Sequence, residues 1–184
     1  MNRAFSARGF FTVPDGTDVS PFLNATDVMQ DDVPWGALGE IGIAAGRIPA
    51  GIHSWIHVHP VVVQVTYVVS GQLNIRMKEF ETADPYDLAL TAGQAVVTRP
   101  GTLFQLRNDA DALAEVLYIV SPPYVFEMTD GKVVYDDAVL VAPDWDDERV
   151  GRFDAAAFEG LVAKARVGRV EATRRIAACR GVSL

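Results

Sequence analysis

GIHSWIHVHPVVVQVTYVVSG, residues 51–71, decides the fold of this 184-residue chain. At its centre is His57-Val58-His59, inside a run that reads as β-strand. Side chains alternate faces along a strand, so His57 and His59 point the same way, with Cα atoms roughly 6.6 Å apart. Two imidazoles on one face can converge on a single metal ion. Pro60 breaks the strand after His59, so a turn can bring Gln64 back to face the pair. Gly51 and Gly71 bound the array, and Ser70-Gly71 is a turn signal.

A second stretch, GQAVVTRPGTLFQLRN at residues 93–108, carries Gly93, Pro100, Gly101 and Asn108. The two stretches resemble the two signature motifs of the cupin family, and the resemblance runs over residues 37–121. It implies an all-β fold, a cupin-type β-sandwich barrel of the jelly-roll kind, around a small-molecule pocket. Such pockets often hold a divalent transition metal: Fe, Zn, Mn, Ni or Cu. In the family pattern the position of Gln64 is usually Glu, Arg99 takes the slot of a proline, and Phe104 takes the slot of the third histidine ligand. The resemblance then implies a metal on His57, His59 and Gln64. An amide oxygen brings no formal charge. Such a site binds its ion less tightly than one with Glu, yet polarises a bound oxygen more strongly. Phe104, turned inward, replaces an imidazole with apolar wall and leaves coordination positions open.

His53 and Trp55 share strand parity with the pair. His53 lies on the order of 13 Å back along the strand, too far to share the ion, and is the candidate catalytic general base. Trp55, Thr66, Met77, Phe104 and Leu106 are expected to line the pocket and to favour an aromatic or otherwise hydrophobic substrate. Gln105 should face away from it. Arg99 and Arg107 either recognise a carboxylate or make surface salt bridges, and Glu40 is either an inward acid or exposed. An open divalent site can bind both substrate and oxygen, which favours a dioxygenase. A metal-dependent cyclase, lyase or isomerase is the near alternative, and a metal-free ligand-binding barrel is the other. Neither a GxSxG elbow nor a phosphate-binding glycine loop is present.

Strands are expected at 37–48, 52–59, 62–70, 72–78, 94–98, 103–107 and 113–121. Asp130-Gly131 signals a hairpin between 124–128 and 132–135. The chain divides into an irregular N-terminal arm (1–36), the barrel (37–148) and a helical appendage (149–184). In the last, Asp154 is the N-cap, Gly168 breaks or kinks the helix into two stretches, and Gly181 terminates it.

Hydrophobic residues make up 49% of the chain, enough for a globular core. The single cysteine, Cys179, excludes an intrachain disulfide and a cysteine-based zinc site. The absence of a signal-like segment or a span-length apolar run points to a cytoplasmic protein off the membrane. Net charge is −8. Residues 149–184 hold eight basic and three acidic residues, +5, which leaves −13 on residues 1–148. An acidic body disfavours nucleic acid. The basic tail is a solvated helix face, or it docks on an acidic surface of its own chain or of a second subunit. The resemblance to single-domain cupins implies a homodimer.

Overall fold

Alternating burial turns the apolar runs into strands. In Ala114–Ser121 the side chains of Ala114, Val116, Tyr118 and Val120 are buried and those between them are less so, the period-two signature of a sheet covered on one face. The computed structural model describes residues 4–7, 9–24, 40–82 and 84–183. Its strands are β1 (Phe11–Thr12), β2 (Asp18–Leu23), β3 (Gly42–Ile48), β4 (Ile56–Val58), β5 (Val63–Ser70), β6 (Gln72–Lys78) and β7 (Tyr86–Thr91). They continue with β8 (Ala95–Thr98), β9 (Leu103–Arg107), β10 (Ala114–Ser121), β11 (Phe126–Thr129), β12 (Lys132–Asp136) and β13 (Val139–Ala142). Helices α1 (Glu148–Gly151) and α2 (Ala155–Cys179) follow.

Two antiparallel sheets face each other, in the orders β1-β2-β3-β10-β5-β8 and β13-β4-β9-β6-β7, with β11-β12 as a separate hairpin. Between them lies a core that includes Ile48, Val68, Leu73, Ile75, Phe104 and Leu106. A second cluster, Ile56, Val58, Leu103, Ala142 and Val150, sits on the opposite face of β4, against Phe153, Phe158 and Leu161 of the helical region. Strand β4 therefore divides two apolar layers: Ile56 and Val58 turn to the helices and His57 turns inward.

Several expectations need correction. The run 52–59 is a strand only over Ile56–Val58. Before it the backbone is irregular, with a lone bridge from His53 to Arg107, so the parity argument fails upstream of residue 56. Residues 11–23, placed in an irregular arm, form a hairpin instead, and β2 pairs with β3. Residues 25–36 and the first part of the 37–48 run lie outside the described residues. Strands β7 and β13 carried no signal. The C-terminal region is one uninterrupted helix through Gly168, capped by Asp154, whose carboxylate accepts from the Ala157 amide at 2.8 Å. Gly168 does not break it, because the helix passes over Tyr135 there. A Cβ at 168 would lie 2.8 Å from that ring.

Half of the basic tail's question is answered by α2 itself. Arg169 donates to Asp137 and to the Pro123 carbonyl. Arg175 donates to Glu127 at 2.7 Å. The helix docks on acidic groups of its own chain.

Gly71 shows why the first motif ends in glycine. Its φ is +79°, and an added Cβ would meet the Leu113 carbonyl oxygen at 2.6 Å. Gly51 also has positive φ, +72°, but opens onto free space. Gly71→Ala should destabilise by roughly 2–4 kcal/mol and Gly51→Ala by roughly 1–2 kcal/mol. Urea midpoints of the two variants check this, and equal losses would contradict the steric argument.

Candidate active site

The sheets enclose a cavity of about 100 Å³. Its walls are mainly apolar, including Phe11, Val13, Val19, Ile43, Leu106 and Phe126, and its polar groups include Asp15, His57, His59, Gln64, Tyr118, Tyr124 and Asp136. That volume is below the ~150 Å³ of an engineered cavity that takes up benzene. A short molecule fits, and an aromatic substrate enters only if the walls move.

His57 and His59 come together as the strand parity predicts. Both are buried, and their ring centroids are 5.6 Å apart. The Nδ1–H of His57 donates to the Trp55 carbonyl at 2.8 Å. This fixes the neutral tautomer and leaves Nε2 as a lone-pair acceptor. Across from it stands the Oδ2 atom of Asp15, 3.9 Å away. Asp15 sits in the turn between β1 and β2. Its Oδ1 accepts from the Thr17 amide and hydroxyl, each at 2.8 Å, and its carbonyl accepts from the Trp55 amide at 2.7 Å. One residue's main chain therefore positions both partners. The His59 ring is held neutral: burial first, and then the neighbouring His57, push its pKa well below the ordinary imidazole value. Its Nδ1 is buried without a hydrogen-bond partner.

Gln64 reaches the cavity, and its amide donates to the Thr66 hydroxyl at 3.1 Å, leaving Oε1 as the free end. Phe104 packs on both imidazoles, at 4.0 Å from His57 and 5.2 Å from His59. It lies beneath them rather than in the cavity wall. Of the other expected lining residues, Leu106 lines the cavity, Thr66 stands behind Gln64, and Met77 belongs to the core. Trp55 points outward and is 40% exposed. His53 is also outside: its Nε2 contacts Asp109 at 2.7 Å on the surface, so the structure separates it from the pair. Gln105 faces away, bonded to Ser54 and Trp145. Arg107 pairs with Asp87 and Asp109, and Arg99 and Glu40 are exposed. Asn108 of the second motif is structural and donates to the Ile48 and Ala112 carbonyls.

Sequence reasoning missed the opposite wall. The Tyr124 hydroxyl donates to Asp136 Oδ1 at 2.7 Å, and the Ala138 amide donates to the same atom at 2.8 Å. Burial pushes the Asp136 carboxyl up to about 7, against the two hydrogen bonds that lower it, with the charges of Asp137 and Asp15 adding to the rise. Tyr118 is made possible by Gly46, where a Cβ would lie 2.4 Å from the phenol ring. Its hydroxyl has no hydrogen-bond partner among the described residues, and burial keeps it protonated. Pro14-Asp15-Gly16 is legible as a turn, but nothing local says which turn closes over the barrel.

The donor set available to a resident metal is sparse: two imidazoles and the uncharged amide of Gln64. Among the described residues no three His, Cys, Asp or Glu side chains converge on a point that could hold an ion. Phe104 fills the place of a third imidazole, and the His59 ring lacks the outer hydrogen bond that normally orients a ligand.

Comparison with known proteins agrees with the fold. The cupin domain family matches residues 46–120. Among solved structures, an oxalate decarboxylase of Lactobacillus farciminis in a formate complex superposes with a TM-score of 0.53 at 14% identity, over 72% of this chain and 33% of that one. An oxalate decarboxylase of Bacillus subtilis gives 0.53 at 15% identity, over 73% and 30%. The capsular polysaccharide assembling protein CapF of Staphylococcus aureus gives 0.52 at 16%, over 77% and 32%. The chain thus spans about a third of the length of these proteins. No curated protein sequence matches it. Residues 46–120 match the cupin domain family, and the chain shares its fold with these structures. Asp15, Tyr124 and Asp136 lie outside that segment. Among the described residues no helix is long and apolar enough to cross a membrane.

Proposed function

We propose that the cavity is the active site of a non-redox enzyme, of the lyase, isomerase or cyclase kind, in which His57 is the general base acting on a small, largely apolar molecule. The observation that carries this is the geometry of His57. Nδ1 is committed to the Trp55 carbonyl, Nε2 is free towards the cavity, and the Asp15 carboxylate is placed to stabilise an imidazolium once a proton arrives. The Tyr118 hydroxyl, protonated and unpartnered, is a donor for negative charge that develops on a substrate oxygen. The proton leaves a carbon next to a carbonyl, rests on His57 Nε2, and returns to another carbon or to a leaving group. Nothing is oxidised or reduced. The placement of His57, with Nδ1 committed to Trp55 and Nε2 facing the Asp15 carboxylate, is why the reading takes the non-redox side rather than the dioxygenase that the motif alone favours.

The test is proton exchange. Ketones and aldehydes of four to six carbons, with and without an amino group, are incubated with the protein in D2O and followed by NMR. Wild-type protein should incorporate deuterium next to the carbonyl of at least one compound, and His57→Gln should slow this on the order of 100-fold or more. No incorporation anywhere, or an equal rate in His57→Gln, overturns the reading.

A further inference from the structure

The free hydrogen-bonding atoms of the cavity are nearly all of one kind. The Tyr124 hydroxyl is spent on Asp136, the Thr17 hydroxyl on Asp15, the Gln64 amide on Thr66, and the His57 Nδ1–H on Trp55. What remains, beside the one donor on the Tyr118 hydroxyl, are acceptors: Asp136 Oδ2, Asp15 Oδ2, Gln64 Oε1 and the His57 Nε2 lone pair. Neither Lys nor Arg lines the cavity among the described residues, so two carboxylates face it without a fixed counter-charge. Buried anions are normally paired. His59, 2% exposed, also lines the cavity and keeps Nδ1 without a partner. An anionic ligand would be repelled by the carboxylates, and a neutral one would leave their charge without a counter-ion. A positively charged donor with an apolar remainder matches both the acceptors and the apolar walls.

We propose that the cavity selects a small organic cation, a primary ammonium group on a short apolar chain, held between Asp136 and Asp15. This rests on the reading of the cavity as the active site and narrows its substrate class to short amino-carbonyl compounds.

The probe is n-butylammonium, with 1-butanol as its neutral counterpart, titrated calorimetrically into the full chain. The cation should bind at least tenfold more tightly than the alcohol. Asp136→Asn and Asp15→Asn should each weaken it tenfold or more while leaving the alcohol unchanged. Asp136 faces Tyr124, Asp137 and Asp15, with His57 and His59 also lining the cavity, and its carboxyl must ionise to hold the cation. Affinity should therefore rise on the order of tenfold from pH 5.5 to pH 8, and this rise should shrink in Asp136→Asn. Equal affinity for cation and alcohol, or no loss in either variant, overturns the proposal. So does a Zn2+ or Mn2+ ion that binds at one per chain and blocks the cation. Binding without any deuterium exchange upholds the cation site and rejects the enzyme. Exchange confined to neutral ketones does the reverse.

Discussion

Arg169→Met lowers stability by about 3–5 kcal/mol at pH 8, the usual consequence of stranding one partner of a buried ion pair. The Asp137 side chain has no exposed surface, and that of Arg169 is 17% exposed. Asp137 also accepts from the Val125 amide at 2.7 Å and the Tyr135 hydroxyl at 2.8 Å, and Arg169 additionally caps the Pro123 carbonyl. Removing the guanidinium leaves a carboxylate that burial already pushes above the usual carboxylate range. It then takes up a proton in preference to remaining charged. The loss should therefore be smaller at pH 5 than at pH 8, and Arg169→Met combined with Asp137→Asn should recover part of it. Urea unfolding at the two pH values provides the measurement. A loss below about 1 kcal/mol at both would mean that α2 is held by its apolar contacts alone.

Asp136→Asn acts in the opposite direction. The carboxyl titrates near 7 in the folded chain and near 3.9 when unfolded. Native protein therefore holds this proton more firmly than unfolded protein. Below about pH 4 both states are protonated and the group is neutral in its effect. As pH rises from about 4 to 7, stability falls, by up to about 4 kcal/mol above pH 7. Asparagine keeps the acceptor for Tyr124 and Ala138 and carries no charge. The variant should be more stable than wild type at pH 8, nearly equal at pH 4, and should lose the slope between. A thermal-unfolding series across that range decides it. Wild-type stability that is flat from pH 4 to 8 would remove the strained carboxylate from the account. A group kept at such a cost, in a wall facing a cavity, fits the exchange of stability for function common at sites.

The barrel was legible because its strands obey local rules. Residues 72–78 and 103–107 coincide with β6 and β9, and the His57–His59 parity survives because Val58 really is extended between them. Trp55 and His53 were misassigned because parity was carried through a stretch that Ser54 ties down irregularly: its amide donates to Leu106 and its hydroxyl accepts from the same residue. Phe104 turns inward but packs beneath the imidazoles instead of lining the pocket as expected. Asp15, Tyr124 and Asp136 were out of reach. Each looks like a loop or strand-end polar residue until chain closure over about a hundred positions brings them to one cavity, and no period or spacing encodes that meeting.

The cavity's carboxylates come from segments flanking the cupin domain, not from within it. Asp15 rides on a hairpin turn and Asp136 on the end of β12, whereas the domain between supplies the imidazoles and the hydrophobic mass. The carboxylates and the imidazoles of the cavity thus sit on different stretches of chain. What the cavity accepts can therefore be altered from the two ends, while the middle holds the imidazoles and Gln64 in place.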